Sequence, residues 1–397
     1  MLKQESEHQW LAISAFFVFV IIGALLIKGT SFLSGVDIID NEIGEDARIL
    51  DSQYIDGDES YFLIYQSGEY SFVWNNDGIS TPIINSETKY DAGEINSITK
   101  LSNDSILLSQ DSSELLFVDG GDIYEFETNY GNEIYSIKSI AENRDSEAQE
   151  YLMITNENGS YTSIRGLSSN NITSSPTLNN ENVEWKNIIS TGEQEWFASG
   201  TYIPPIASGG DSPASPTIKP VYAKIIWSGG FTAPMISNLH IGAIGEYHSI
   251  VNLNHEEILI AGTHETIIMN HITGEIENID YSSVAAVVED CEVAWLFNGQ
   301  DSKSVLRIKN SELEMMKLPH TLPLDVESNG FDGEVIYLHG IDYNGESRVM
   351  TFDTTSVGSI ESGRGFLNLS FVIISLIVLS VMMINAYDRF RDDKLLI

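Results

Sequence analysis

Residues 249–279 read SIVNLNHEEILIAGTHETIIMNHITGEIENI, and they decide the fold class. Four apolar runs stand out: Ser249–Leu253, Ile258–Ala261, Thr266–Asn270 and Glu275–Ile279. Each is too short for a stable helix, is rich in Ile and Val, and is bounded by Asn, His, Glu, Thr or Gly, so each reads as a strand. Four short antiparallel strands make a sheet with two faces. One such sheet cannot bury both faces alone, so the unit must be stacked against copies of itself.

Copies are present. One marker strand per unit falls at Tyr61, Ile106, Tyr151, Trp196, Ile258, Val293 and Val335, at intervals of 45, 45, 45, 62, 35 and 42 residues. The long interval holds a Pro, Gly and Ser stretch, Ile203–Pro220, and shrinks to 44 without it. The second unit repeats the four-strand pattern with Ile95–Leu101, Ile106–Ser109, Leu115–Val118 and Ile123–Phe126. A period in the low forties with four strands per unit predicts a β-propeller of seven blades over residues 44–360. A β-sandwich pair or a β-helix is the competing all-β architecture.

Met269-Asn-His-Ile-Thr-Gly-Glu-Ile276 is similar to the Thr-Gly turn of quinoprotein blades. With the period, it makes the body resemble the WD40-like and quinoprotein-like propeller superfamily. The period covers the whole body and the motif one unit. The Trp-Asp dipeptide of WD40 blades is absent, and Ile279 or its neighbours stand where quinoprotein blades carry Trp, so no quinone or other cofactor is expected.

Two apolar runs flank the body, Trp10–Ile27 and Phe366–Tyr387, and each is long enough to cross a bilayer of about 30 Å as a helix. The sequence therefore predicts a seven-bladed propeller between two transmembrane helices. The expected order is a tail at 1–9, a signal-anchor helix at 10–28, a linker at 29–43, the propeller at 44–360 with its insertion at 203–220, a second helix at 366–387 and a tail at 388–397. A cleavable signal peptide fits the first run less well, because Glu5 and Glu7 precede it and no small-x-small exit follows. Lys3, Arg389, Arg391 and Lys394 lie outside the runs and Lys28 and Arg364 just inside, which places both termini in the cytoplasm and the propeller outside the cell membrane.

The net charge is −38, from 58 acids against 20 bases, and the body alone holds 53 and 15. Such a surface repels phosphate backbones and argues against nucleic acid. Asn103, Asn158 and Asn171 begin glycosylation-type sequons in loop-like contexts. Cys291 is the single cysteine, so no internal disulfide can form.

Chemistry-bearing patterns are thin. His240, His248, His255, His264 and His271 recur every seven to nine residues, a spacing that scatters them over strands and turns, and no shared metal site is expected. Asp56-Gly-Asp58-Glu59 and Asp119-Gly-Gly-Asp122 lack the alternating carboxylates of a calcium loop. Gly-x-Ser-x-Gly, phosphate-loop, HExxH and paired-Cys motifs are absent.

Two functions fit. One is a non-catalytic, membrane-anchored propeller that binds a protein or glycan partner, or scaffolds a membrane complex. The other is an enzyme in the propeller axis, glycan-processing or quinone-linked, which would need converging carboxylates with a Tyr or an Arg pair. The insertion is the candidate partner-binding loop, with Pro204, Pro205, Pro213, Pro216 and Lys219. It joins the second and third strands of its unit, on the face that carries the links between blades. The chain is expected to enter and leave the propeller on that face.

Overall fold

The computed structural model describes short helical stretches within 16–23 and 371–384, the strands from residue 36 onward, and residues 182–354 nearly throughout apart from 205–216 and a few turns. Among the described residues there are twenty-nine strands. They are β1 (Val36–Asp40), β2 (Arg48–Ile55), β3 (Ser60–Ser67), β4 (Tyr70–Asn76), β5 (Ser80–Thr81), β6 (Tyr90–Asp91), β7 (Ile95–Lys100), β8 (Ile106–Gln110), β9 (Glu114–Asp119) and β10 (Asp122–Glu127). The middle of the chain gives β11 (Tyr135–Glu142), β12 (Glu150–Glu157), β13 (Tyr161–Ser168), β14 (Asn171–Ile172), β15 (Val183–Gly192), β16 (Glu195–Tyr202), β17 (Lys219–Ile226) and β18 (Met235–Ile241). The last third gives β19 (Tyr247–Asn252), β20 (Glu257–Gly262), β21 (Thr266–Asn270), β22 (Ile276–Ile279), β23 (Ala285–Asp290), β24 (Val293–Phe297), β25 (Ser304–Lys309), β26 (Glu312–Lys317), β27 (Asp325–Phe331), β28 (Val335–Ile341) and β29 (Ser347–Asp353).

These strands form seven antiparallel sheets whose innermost strands, β2, β7, β11, β15, β19, β23 and β27, touch one another in order and close back on β2. That ring is a β-propeller. Between sheets the cores are continuous. Trp185, Trp196 and Trp227 pack with Leu152, Ile154 and Ile164 of the preceding sheet, and Phe197 and Tyr222 pack with Tyr247 and Ile260 of the following one. Each sheet thus buries its faces only against its neighbours, as the repeat requires.

The expectation of seven full blades between two transmembrane helices is corrected in both parts. Five sheets are complete, with four strands of at least four residues each: β7–β10, β15–β18, β19–β22, β23–β26, and β27–β29 with β1. The sheet of β2–β6 and that of β11–β14 have outer strands of only two residues. Pro82 follows β5 directly and cannot donate to a ladder, while β14 lies in the turn-forming run Asn170-Asn-Ile-Thr-Ser-Ser-Pro176.

Among the described residues, no helix is long and apolar enough to cross a membrane. Helical backbone is described at 16–21 and 23 and at positions within 371–384; the rest of 10–28 and 366–387 lies outside the described residues. Apolar length alone does not make a span, which needs about 20 consecutive helical residues. These stretches belong to a separate contact unit, Met1–Asp37 with Phe352–Ile397, in which the rings of Phe19 and Phe371 lie 5.4 Å apart.

The stretch expected as a linker, 29–43, contains β1, which is the outer strand of the last sheet, beside β29. The last sheet therefore takes one strand from the start of the chain and three from its end, which ties the ring shut. This arrangement also corrects the expected exit. Since β29 is the third strand of its sheet, counted from the axis, it ends at the opposite face from the links between blades, and the insertion between β16 and β17 sits on the link face.

Candidate functional site

Two surfaces of the propeller could hold a ligand: the axial channel, and the outer edge of the fourth sheet.

The channel is built by one repeated irregularity. Six innermost strands lose register near their start: between Ile49 and Asp51, Ile95 and Ser97, Ile137 and Ser139, Trp185 and Asn187, Tyr247 and Ser249, and Val326 and Ser328. The extra residue of a bulge is unpaired and bends the strand, so side chains there are re-aimed. Of the extra residues, Leu50, Lys138, His248 and Glu327 line an axial cavity of about 990 Å³.

The residue after each bulge is polar: Asp51, Ser97, Ser139, Asn187, Ser249 and Ser328. Three of these reach the backbone of the next innermost strand. Asp51 Oδ2 accepts from the Ile98 N–H at 2.8 Å, Ser139 Oγ from the Ile188 N–H at 3.3 Å, and Asn187 Nδ2 donates to the His248 carbonyl at 3.1 Å. The ring is therefore latched from inside, and the polar lining is in part structural. Lys186 and Glu246 add an ion pair at 2.8 Å between the fourth and fifth sheets.

That pair tunes its surroundings. The hydrogen bond from Lys186 holds the Glu246 carboxyl below the usual carboxylate range, against a smaller opposing effect of burial. Burial pushes the His248 imidazole down, although Glu246 and Asp325 pull it up. Its Nε2 has no hydrogen-bond partner among the described residues. The axial enzyme reading called for converging carboxylates with a Tyr or an Arg pair. The described lining offers Asp51 and Glu327 as acids, Lys100 and Lys138 as bases, and neither Tyr nor Arg.

The expected histidine scatter is visible in detail. His240 stacks on Tyr222 with centroids 4.8 Å apart, and His248 lies at the axis. His271 sits in the turn after β21, with Nδ1 3.4 Å from Glu195 Oε2 and Nε2 2.9 Å from the His255 carbonyl. Among the described residues, no group of three or more His, Cys, Asp or Glu is placed to hold a metal ion. The Thr-Gly run is a hairpin turn: Asn270 Oδ1 accepts from the Ile272 and Thr273 N–H groups, and Gly274 takes a φ of +77°.

The second surface is the outer edge of the fourth sheet. From Ile225 to Gly245, 21 residues pass without an Asp, Glu, Lys or Arg, in a chain of which 20% is charged. That run includes all of β18, where Met235, Leu239 and Ile241 are exposed, and the preceding hairpin, where Phe231 is 78% exposed. Ile226 and Ile244 are exposed beside them, and Ile203 and Ile218 are exposed at the two stems of the insertion. Burial explains none of these apolar side chains, which are distributed along β18, its hairpin and the stems of the insertion; exposed apolar side chains concentrated on one sheet edge are the kind that mark interaction sites.

Of the proposed loop residues, Pro204 is half-buried at the start of the insertion, and Lys219 is the first residue of β17, paired with Tyr202. Pro205, Pro213 and Pro216 lie outside the described residues, as do Asn103 and Asn158. Asn171 is in β14, paired with Ser168. The structure thus brings the stems of the insertion to the apolar edge but keeps Lys219 in the sheet.

No family model matches the chain, and none of the curated proteins compared with it matches. Among solved structures 680 chains match. One belongs to a structure titled "Crystal Structure of Mitotic Checkpoint Complex", with 10% identity over 80% of this chain and 90% of that chain and a TM-score of 0.49. At that identity and score the likeness carries no argument. The class, a β-propeller, rests on the closed ring of sheets.

Proposed function

We propose that this propeller is a protein-binding platform that docks its partner on the fourth sheet, through β18, the β17–β18 hairpin and the stems of the 203–220 insertion. The observation that carries the reading is the uncharged apolar edge on a chain of net charge −38. Elsewhere that charge keeps the surface solvated and free of like-charged neighbours. Leaving Phe231, Met235 and Ile244 uncovered costs solubility unless something covers them. A rigid ring is a suitable support, since loops and edges displayed on a fixed scaffold carry binding at little ordering cost. The Pro-rich insertion, with Pro204, Pro205, Pro213 and Pro216, is stiffened by its composition, and Ile203 and Ile218 at its stems are exposed.

The test is site-resolved capture. A photo-crosslinking residue is placed at Phe231, Met235 or Ile244 of the full chain, and at Leu313, an exposed residue of β26, as the control. A single partner crosslinked from the first three sites and not from Leu313 supports the reading; equal labelling from all four, or none, overturns it. Deleting 204–217 should weaken that crosslink without unfolding the body.

A further inference from the structure

Resting on that reading, we propose the mode of docking: β18 accepts an extended, basic segment of the partner as an additional β-strand.

Every outer strand of a propeller is a sheet edge, with a row of backbone N–H and C=O groups that another strand can pair. Natural edges are guarded by charge, by shortness or by irregularity. In this ring the guards are visible on the other sheets. β10 carries Asp122, Glu125 and Glu127, β22 carries Glu277, β26 carries Glu312, Glu314 and Lys317, and β1 carries Asp37 and Asp40. β5 and β14 have two residues each. β18 has seven residues and no Asp, Glu, Lys or Arg. Its one irregularity is a register shift opposite Lys224 and Ile225, which leaves Asn238–Ile241 as a regular free run. Beyond it the Gly242 N–H still bonds the Pro220 carbonyl at 2.8 Å, in the same register.

The chemistry of the guest follows from what surrounds this run. Next to Ile241 lies a cleft of about 610 Å³ shared with the fifth sheet, lined by the acids Glu265 and Asp280 with His240 and His264, and by no Lys or Arg. Glu275 and Glu277 are exposed on the adjoining hairpin. An edge that exposes Leu239 and Ile241 beside a cleft holding Glu265 and Asp280 matches a segment that alternates apolar residues with Lys or Arg. The charge of −38 would also speed its encounter while repelling a second copy of this chain. Main-chain pairing supplies the affinity of such strand addition, and alternate side chains supply the selection.

The probes are fluorescein-labelled octapeptides alternating Val with Lys, the same with Glu for Lys, and the Val/Lys peptide N-methylated at alternate amides. Binding is read by anisotropy on the full chain, on Leu239→Lys and on the charge-matched control Leu313→Lys. Both residues are exposed, so urea midpoints should match the parent. The Val/Lys peptide should bind, with affinity about tenfold or more lower for the Glu peptide, for the N-methylated peptide and for Leu239→Lys, and unchanged for Leu313→Lys. Failure of the Val/Lys peptide to bind overturns the proposal, as does equal binding of the N-methylated peptide or equal loss in both variants. Sedimentation showing a dimer that Leu239→Lys dissolves overturns it in favour of a second copy. If the crosslinks of the preceding section map to the fourth sheet while these peptides fail, docking there stands and strand addition falls.

Discussion

Replacing Gly262 with alanine puts a methyl group where two backbones already meet. A Cβ built there lies 2.6 Å from the Glu246 carbonyl oxygen, 2.7 Å from that of Glu265 and 2.9 Å from Tyr247 Cδ1. Ordinary carbon contacts start near 3.4 Å, so two main-chain oxygens must each retreat by about 0.7 Å. The first is not free to do so. The Glu246 oxygen accepts from the Thr263 N–H at 3.1 Å, and the Gly262 carbonyl accepts from Ser283 at 2.8 Å, tying this corner to the next sheet. Overpacking of this kind costs about 1–3 kcal/mol, and with backbone on both sides the upper end, about 3 kcal/mol, is expected for Gly262→Ala. Gly299→Ala is the control: its nearest neighbour would be Val284 Cγ1 at 3.7 Å, so its stability should stay within about 0.5 kcal/mol or rise slightly. Urea titration followed by tryptophan fluorescence measures both. A Gly262→Ala loss below about 1 kcal/mol would refute the claim that the bulged innermost strand presses on this residue.

Three further outcomes follow from the described contacts. Asp51→Ala should destabilise the body by about 1–3 kcal/mol, because the Ile98 N–H loses its acceptor across the first two sheets; an unchanged urea midpoint contradicts the latch. His339 is buried, and burial pushes its imidazole down to about 3, so the unfolded chain binds its proton first. Stability from this group is complete above about pH 6.5 and falls as pH drops toward 3, by up to about 1.4 kcal/mol per unit, and His339→Gln should flatten that slope. Glu246 has a lowered pKa, so its contribution is present above its ordinary value of 4.5 and is lost as pH falls through the lower folded value; Lys186→Met should remove that acid-side loss, as thermal melts from pH 6 to 3 will show.

Much of the ring was legible because its signal is local. Strands such as Ile258–Ala261 and Val335–His339 announce themselves by composition, and their spacing gives the blade. The closing strand was not legible: Val36-Asp-Ile-Ile-Asp40 is too short and too acidic to stand out, and its partner β29 lies at the far end of the chain. The two-residue outer strands escaped notice for a related reason, since a marker strand counts sheets without weighing how much of each sheet forms.

The axial site had a signal that alternation hides. Ile95-Asn-Ser-Ile98, Ile137-Lys-Ser-Ile140, Trp185-Lys-Asn-Ile188 and Tyr247-His-Ser-Ile250 repeat an apolar–x–polar–Ile pattern at the bulges. One inserted residue shifts the phase of a period-two pattern, so alternation alone does not reveal which side chains turn to the axis. The edge at β18 was readable as a charge gap from Ile225 to Gly245, but charge counted over the whole body averages it away.

The central claim, that partners dock on the fourth sheet, is tested most directly by amide hydrogen exchange of the full chain, alone and saturated with the crosslinked partner. The account predicts exchange slowed at least about tenfold in 235–241, with β10, β22 and β26 unchanged. Protection of the axial segments 97–101, 248–251 and 326–329, with none at 235–241, would contradict it and move the site to the channel.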